Sequence, residues 1–232
     1  VDTASLQGAP LVACQGTADR PPCIEDWIRD QGLRLYRRPL TDNQVVGFAV
    51  AFEEQPPGTT PEAAARNVLL SMLISPYFVY RIELGAQTTK ALTIAPPSGP
   101  GVMLPIPGNP LSAYEVAARL SHFVWRSGPD AALLAQAASG ELLREDGMLA
   151  AFDRLMSDAR ALPARVQQHL EWLHLEQWGA LDAAGEVERL EREQTSRFIA
   201  DVLTSRHGSL TELLTSSRQP LNAALAQELG IS

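Results

Sequence analysis

Apolar residues recur every three to four positions along most of the chain, and this spacing predicts α-helices. The predicted helices cover residues 24–38, 41–52, 61–75, 112–126, 130–138, 145–157, 163–178, 184–205, 209–215 and 221–229. The pattern therefore predicts an all-α protein of about nine or ten helices in two packed groups.

Polar residues mark where several of these helices begin. Thr41 stands three residues before Gln44, and Ser112 stands three residues before Glu115. Both pairs have the spacing of a capping box, in which each side chain binds the other residue's backbone N–H. Thr60 precedes a proline, which is favoured at the first position of a helix. We expect helices to start at all three places.

The segment 85–110 differs from the rest of the chain. It contains four glycines and six prolines, together with short apolar runs at 91–95 and 102–106. These runs predict a covering loop or a small hairpin as the connector between the two groups. The predicted organisation is an N-terminal helical group at 1–84, a connector at 85–110 and a C-terminal helical group at 111–232.

Composition and charge exclude some classes of function. The chain has 232 residues, of which 45% are hydrophobic and 20% charged, as in ordinary globular proteins. Its 19 basic and 27 acidic residues give a net charge of −8, which repels nucleic-acid phosphates. No apolar run reaches the roughly 18 residues that a transmembrane helix needs. We therefore expect neither nucleic-acid binding nor a membrane span.

The two cysteines lie close together. Cys14 and Cys23 enclose a short segment rich in turn-forming residues, which is typical of a local disulfide. Such a bridge would stabilise the fold by about 2–3 kcal/mol. The alternative is a pair of free thiols in a reducing cytosol.

Several cofactor and catalytic motifs are absent from the sequence. It lacks the two cysteines and adjacent histidine that attach a c-type haem. It also lacks a phosphate-binding Walker loop, a dinucleotide fingerprint and the Gly-x-Ser-x-Gly nucleophile elbow. We therefore expect no cofactor on this chain.

Four residues are candidates for a catalytic site. Arg81 and Glu83 follow an aromatic run, and Arg119 lies in the helix at 112–126. We interpret them as a buried Arg–Glu pair that ties the two helical groups together; the alternative is an arginine that holds an acidic ligand. His122 follows Ser121, but neighbours on a helix point about 100° apart, which favours a packed histidine over a nucleophile–base pair.

One pair of residues is a candidate for a metal site. Glu171 and His174 share one face of a helix in a Glu-x-x-His pair. Ferritin-like di-iron sites need two such pairs and two further glutamates, and the sequence contains one pair. We therefore predict no metal and interpret the pair as a surface or interface feature near Trp172 and Trp178.

Three segments together resemble a known family. They are Leu35-Tyr-Arg-Arg-Pro-Leu-Thr-Asp42, Leu73-Ile-Ser-Pro-Tyr-Phe-Val-Tyr-Arg-Ile-Glu83 and Leu111-Ser-Ala-Tyr-Glu-Val-Ala-Ala-Arg-Leu-Ser-His-Phe-Val-Trp125. In order and spacing they are similar to motifs of a large family of exported proteins of unknown function, abundant in planctomycetes and myxobacteria. The resemblance covers roughly residues 20–232.

The resemblance implies an exported helical module in the periplasm or outside the cell. Members of that family are often fused to c-type cytochrome domains or encoded beside them, so other protein subunits, including a c-type cytochrome that carries the haem, are the implied partners. It also supports the Cys14–Cys23 bridge but transfers no catalytic residue. His122 replaces a usual tyrosine, and family members continue beyond the position of Ser232, so we expect this chain to be a fragment, a processed product or a truncated homologue.

Two functional hypotheses follow. The first is a non-catalytic scaffold or interaction module of an exported complex. The alternative is an exported oxidoreductase or hydrolase with its site between the two helical groups, near Arg81, Glu83, Arg119 and His122. A cavity beside these side chains distinguishes the hypotheses, because enzymes need a concave site with convergent polar groups.

Overall fold

The protein is all-α in the computed structural model, which describes residues 20–85, 92–93, 105–106, 110–175, 185–205, 209–218, 220–221, 223–228 and 230. The helices in these ranges are α1 Arg20–Tyr36, α2 Asp42–Glu53, α3 Pro61–Leu73, α4 Pro76–Val79, α5 Ala113–Trp125, α6 Ala131–Ala138, α7 Glu145–Met156, α8 Ala161–Trp172, α9 Glu186–Ser205, α10 Leu210–Thr215 and α11 Ala223–Glu228. Ten of them are longer than the four residues of α4, which confirms the predicted fold class.

A short antiparallel pair lies in the segment that was expected to form a loop or small hairpin. Strand β1 is Leu92–Thr93 and strand β2 is Pro105–Ile106, with Leu92 opposite Ile106. Two residues per strand are too few to bury a sheet face, so the pair leaves the fold class unchanged.

The predicted helix starts are confirmed. The Thr41 hydroxyl accepts from the Gln44 N–H at 3.3 Å, and the Gln44 side chain accepts from the Thr41 N–H at 3.0 Å. The Thr60 side chain accepts from the Ala63 N–H at 3.3 Å. These bonds satisfy N–H groups that a helix start leaves without an intrahelical partner.

Helix α4 was not predicted. The third helix was expected to extend to residue 75, but α3 already ends at Leu73. The Ser75 hydroxyl accepts from the Tyr77 N–H at 3.3 Å, and Pro76 takes the first position of α4. Because proline lacks an N–H, it stops one helix here and starts the next.

The chain divides into two compact units. Described residues up to His122, with Ser127–Ala151, form the first, and Phe123–Arg126 with the described residues from Phe152 onward form the second. This division does not test the boundaries expected at 84 and 111, which stay predictions.

Each unit has its own apolar core. In the first unit, α1, α2 and α3 bury Ile28, Val45, Val68 and Met72 almost completely. Among the described residues of the second unit, the buried side chains are Val124, Trp125, Leu155, Ala161, Ala164, Leu170, Gln194, Ile199 and Val202. The indole N–H of Trp125 donates to the Leu155 carbonyl at 2.9 Å, which satisfies the polar atom of a buried ring.

Several apolar residues of the helical pattern are exposed. They are Val46, Phe123, Met148 and Leu149. Apolar residues occupy more than one side of these helices, and the periodicity alone does not choose between the sides. The packed side is centred on the neighbouring residues Val45, Val124 and Ala151, which are buried.

Two predictions involve residues outside the described ranges. Cys14 lies outside them, so the Cys14–Cys23 disulfide stays a prediction; Trp178 lies outside them as well. Among the helices that are described, none combines the length and apolarity needed to cross a membrane.

Adjacent valines in α2 test the assignment of the core. Val45 is 0% exposed and Val46 is 56% exposed. We expect Val45→Ala to lower the free energy of unfolding by about 2 kcal/mol, because it leaves a cavity in the core. Val46→Ala, the matched control, should change it by less than about 0.5 kcal/mol. Urea denaturation measures both, and equal effects would contradict the packing.

Candidate functional site: the arginine–tyrosine cleft

A cleft of about 320 Å³ opens in the first unit, between the end of α1, helix α4, residues 81–85 and the start of α5. Its basic and aromatic walls are formed by Tyr36, Arg37, Arg38, Tyr77, Arg81 and Tyr114. We call it the arginine–tyrosine cleft. Its volume lies in the range of ligand-binding pockets.

Arg37 holds one side of the cleft in place. It follows α1 with a φ of 60°, and its Nη2 donates to the carbonyls of Tyr77 at 2.9 Å and Tyr80 at 3.0 Å. The Phe78 carbonyl accepts from the same nitrogen at 3.3 Å. Burial, and then the charge of Arg81, lowers the pKa of Arg37. Its guanidinium therefore acts as a cap for α4.

Arg38 and Tyr77 form an adjoining part of the wall. The Arg38 guanidinium lies 4.7 Å from the centre of the Tyr77 ring, a cation–π arrangement. Arg38 Nη1 donates to the Pro39 carbonyl at 2.8 Å and to the Gln44 side chain at 3.3 Å. The Tyr36 and Tyr77 rings lie 5.5 Å apart. The position of the Tyr77 ring is thus fixed from two directions.

Glu83 connects two of the predicted site residues. Its carboxylate pairs with Arg81 Nε at 3.0 Å and with the guanidinium of Arg119. The hydrogen bond from Arg119 is the largest influence on the pKa of Glu83 and lowers it. The side chain of Glu83 is 17% exposed, whereas those of Arg81 and Arg119 are 45% and 56% exposed. The expected Arg–Glu pair is present, but its arginines are exposed and not buried.

Glu115 closes the end of the cleft. Its Oε1 accepts from the N–H groups of Leu84 at 2.7 Å and Gly85 at 3.0 Å, and its Oε2 accepts from the Ser112 N–H at 2.7 Å. Burial raises the pKa of Glu115, but these donors and the Ser112 hydroxyl outweigh it, so the pKa lies below its usual range. The predicted Ser112–Glu115 capping box is confirmed, and the same carboxylate also fixes residues 84–85.

His122 does not line the cleft. Its Nδ1 lies 2.7 Å from the Ala118 carbonyl. The Ser121 hydroxyl donates to that same carbonyl at 3.1 Å, so Ser121 is not paired with His122. Burial is the largest influence on the pKa of His122 and lowers it, with further lowering by Arg37 and Arg81. His122 is therefore mostly uncharged at neutral pH.

The Glu-x-x-His pair lies in the second unit. The Glu171 carboxylate accepts from Arg126 at 2.7 and 2.8 Å and from Gln167 at 3.2 Å. The bond from Arg126 lowers the pKa of Glu171. His174 follows the end of α8 with a φ of 58°. Within the described ranges, no group of three or more potential metal ligands is present.

Two family models match the chain. The model of the PSD4 family, described as a protein of unknown function (DUF1592), matches residues 111–231, which are more than half of the chain. The chain belongs to the PSD4 family. Residues 23–83 of this PSD4 protein also match PSD5, a protein of unknown function (DUF1595). No curated protein and no solved structure matches the chain.

Both matched regions contribute to the arginine–tyrosine cleft. Tyr77 and Arg81 come from the PSD5 region, whereas Tyr114 and Glu115 come from the PSD4 region. Sequence reasoning singled out Arg81, Glu83 and Arg119 and predicted the capping box of Glu115. It missed the bonds of Glu115 to residues 84–85 and the roles of the cleft residues Arg37, Arg38, Tyr77 and Tyr114. The available signal was their position inside the three motifs that carried the family resemblance.

Arg37→Met tests the capping of α4. Removing a guanidinium that bonds three carbonyls should lower the free energy of unfolding by about 2 kcal/mol, because charge-assisted bonds are lost. Arg34→Met is the matched control, since Arg34 pairs only with exposed Asp30 within the described residues. Its effect, from the same denaturation experiment, should stay below about 0.5 kcal/mol. Equal effects would rule out the cap.

The Glu115 carboxylate predicts an acid-sensitive component of stability. Its folded pKa lies below the ordinary glutamate value, so its stabilisation is full above that value and is lost as the pH falls towards the folded pKa. The drop in unfolding free energy between about pH 6 and about pH 3.5 should therefore be smaller in Glu115→Gln than in the wild type.

The exposed residue Glu54 offers a control of the same charge change. Glu54→Gln should keep the pH dependence of the wild type, as measured by urea denaturation at both pH values. An unaltered pH dependence in Glu115→Gln would contradict the assigned hydrogen bonds.

Proposed function

We propose that this PSD4-family protein is a non-catalytic interaction module of an exported complex, in the periplasm or outside the cell. Its arginine–tyrosine cleft receives an acidic side chain of a partner protein. The observation that carries the proposal is the Arg81 guanidinium, which lines the cleft and is 45% exposed. Within the described residues its ion pair to Glu83 runs through Nε, and its terminal nitrogens make no hydrogen bond.

The charge of the cleft supports an anionic ligand. Arg37, Arg38 and Arg81 line it together with Glu83 and Glu115, which leaves one net positive charge. The chain as a whole has a net charge of −8, so this cleft departs from the rest of the surface. Because a guanidinium matches the planar geometry of a carboxylate, an exposed arginine favours an aspartate or glutamate side chain.

The lowered pKa values of the Glu83 and Glu115 carboxylates favour a binding role of the cleft over a catalytic one. A general acid that works near neutral pH needs a raised pKa, as when a carboxyl group is buried without donors. The pKa values of Glu83 and Glu115 are lowered instead, by Arg119 and by backbone N–H groups. Both carboxylates therefore act as fixed ionised supports for the cleft. A cavity, which the enzyme hypothesis requires, does lie beside Arg81 and Glu83, but Arg119 and His122 do not line it and neither carboxylate in it has a raised pKa. We therefore favour binding at this cleft over oxidoreductase or hydrolase chemistry.

The family resemblance supplies a candidate partner. A c-type cytochrome would carry the haem itself and present an acidic surface residue to Arg81. In such a complex this chain needs no cofactor of its own. Purification of the complex from its native source should then give a Soret band together with this chain.

Titration with hexaglutamate tests the cleft directly. We expect binding to the wild type that weakens as salt is added, because the attraction is between charges. Arg81→Gln should weaken the affinity by about tenfold, as for the loss of a charge-assisted hydrogen bond. Isothermal titration calorimetry measures these affinities.

Arg144→Gln is the matched control. Arg144 also pairs with an acidic residue two positions on, Asp146, and does not line the cleft. Its variant loses the same charge and should bind hexaglutamate as the wild type does. If both variants lose the same affinity, the attraction comes from the overall charge, and the proposed cleft function is wrong.

A further inference from the structure

A second cavity lies beside the arginine–tyrosine cleft in the first unit. It has a volume of about 480 Å³, and Tyr114 lines both cavities. Its apolar walls come from α1, from the residues that precede α6 and from α6 itself: Leu33, Pro129, Leu134, Ala135 and Ala138. We call it the aliphatic cleft. The two clefts thus form neighbouring sites that meet at one tyrosine.

The polar residues around the aliphatic cleft already have partners within the protein. Asp30 and Arg34 form an ion pair at 3.2 Å. The Asp130 side chain accepts from the Leu133 N–H at 2.8 Å and caps α6. What remains for a ligand is aliphatic surface and the ring of Tyr114. Burial of an aliphatic group there removes apolar surface from water on both molecules.

We infer that the partner segment bound by this protein is an amphipathic peptide. Its acidic side chain lies in the arginine–tyrosine cleft beside Arg81, and an aliphatic side chain a few residues away lies in the aliphatic cleft. The peptide crosses Tyr114, the residue that both clefts share. The inference rests on the proposed function, since the acidic anchor is the one proposed above.

Charge complementarity and proximity argue for this occupant. One cleft offers exposed guanidinium donors, and its neighbour offers aliphatic walls whose charged rim is internally paired. A purely acidic segment would leave the aliphatic cleft in water, and a purely apolar segment would leave Arg81 without a ligand. A segment with both kinds of side chain satisfies both clefts at once.

Three synthetic peptides separate the two anchors. The first is acetyl-Leu-Leu-Gly-Glu-Gly-Leu-Leu-amide, whose symmetry makes the direction of binding irrelevant. The second has alanine in place of every leucine, and the third has glutamine in place of the glutamate. We expect the leucine peptide to bind about tenfold more tightly than the alanine peptide, because it buries more aliphatic surface. The glutamine peptide should bind about tenfold more weakly than the leucine peptide.

Two variants of α6 locate the aliphatic anchor. Ala135 and Ala132 are both exposed, but Ala135 lines the aliphatic cleft whereas Ala132 lines neither cleft. Ala135→Gln should remove the advantage of the leucine peptide and leave binding of the alanine peptide unchanged. Ala132→Gln should keep that advantage. Fluorescence anisotropy of labelled peptides gives all of these affinities, and circular dichroism checks that both variants are folded.

The outcomes distinguish the inference from the function on which it rests. If the leucine and alanine peptides bind equally and both depend on Arg81, the amphipathic ligand is wrong and the acidic anchor stands. An advantage of the leucine peptide that survives Ala135→Gln also overturns the inference. If replacing the glutamate by glutamine changes nothing, the proposed function itself fails.

Discussion

The Glu115 carboxylate is the interaction on which the candidate site depends. One side chain accepts hydrogen bonds from the start of α5 and from the N–H groups of Leu84 and Gly85. A half-buried carboxylate needs such donors, and backbone N–H groups at a helix start or in an irregular segment need such an acceptor. The hydrogen bonds to Glu115 satisfy the carboxylate and the N–H groups together, and they fix the backbone of residues 84–85. Arg81 lies a few residues before this fixed point and lines the cleft.

The motifs of the family resemblance have a physical interpretation in this structure. Arg37 bonds the carbonyls that end α4, Arg38 stacks on Tyr77, and Glu115 fixes residues 84–85. These three motif residues therefore hold the walls of the cleft in place through bonds within the protein. Arg81 differs from these three, because it lines the cleft with a guanidinium that is 45% exposed. A binding site on a rigid support matches the function that we propose.

Local features could be predicted from the sequence, and long-range ones could not. The capping boxes at Thr41 and Ser112 depend on residues three positions apart, so their chemistry is visible in the sequence. The carbonyls that Arg37 caps lie about forty residues away, and no spacing rule links them. Periodicity likewise predicted α2 but does not separate the buried Val45 from the exposed Val46, because the packed side depends on neighbouring helices.

Amide hydrogen exchange at Leu84 and Gly85 tests the central claim most directly. Both N–H groups lie in a segment without regular secondary structure, yet both donate to Glu115. Exchange slower than the unstructured rate by at least about tenfold is the result that this account predicts. Exchange of both amides at the unstructured rate would show that the carboxylate does not hold this segment, and the cleft would lose its support.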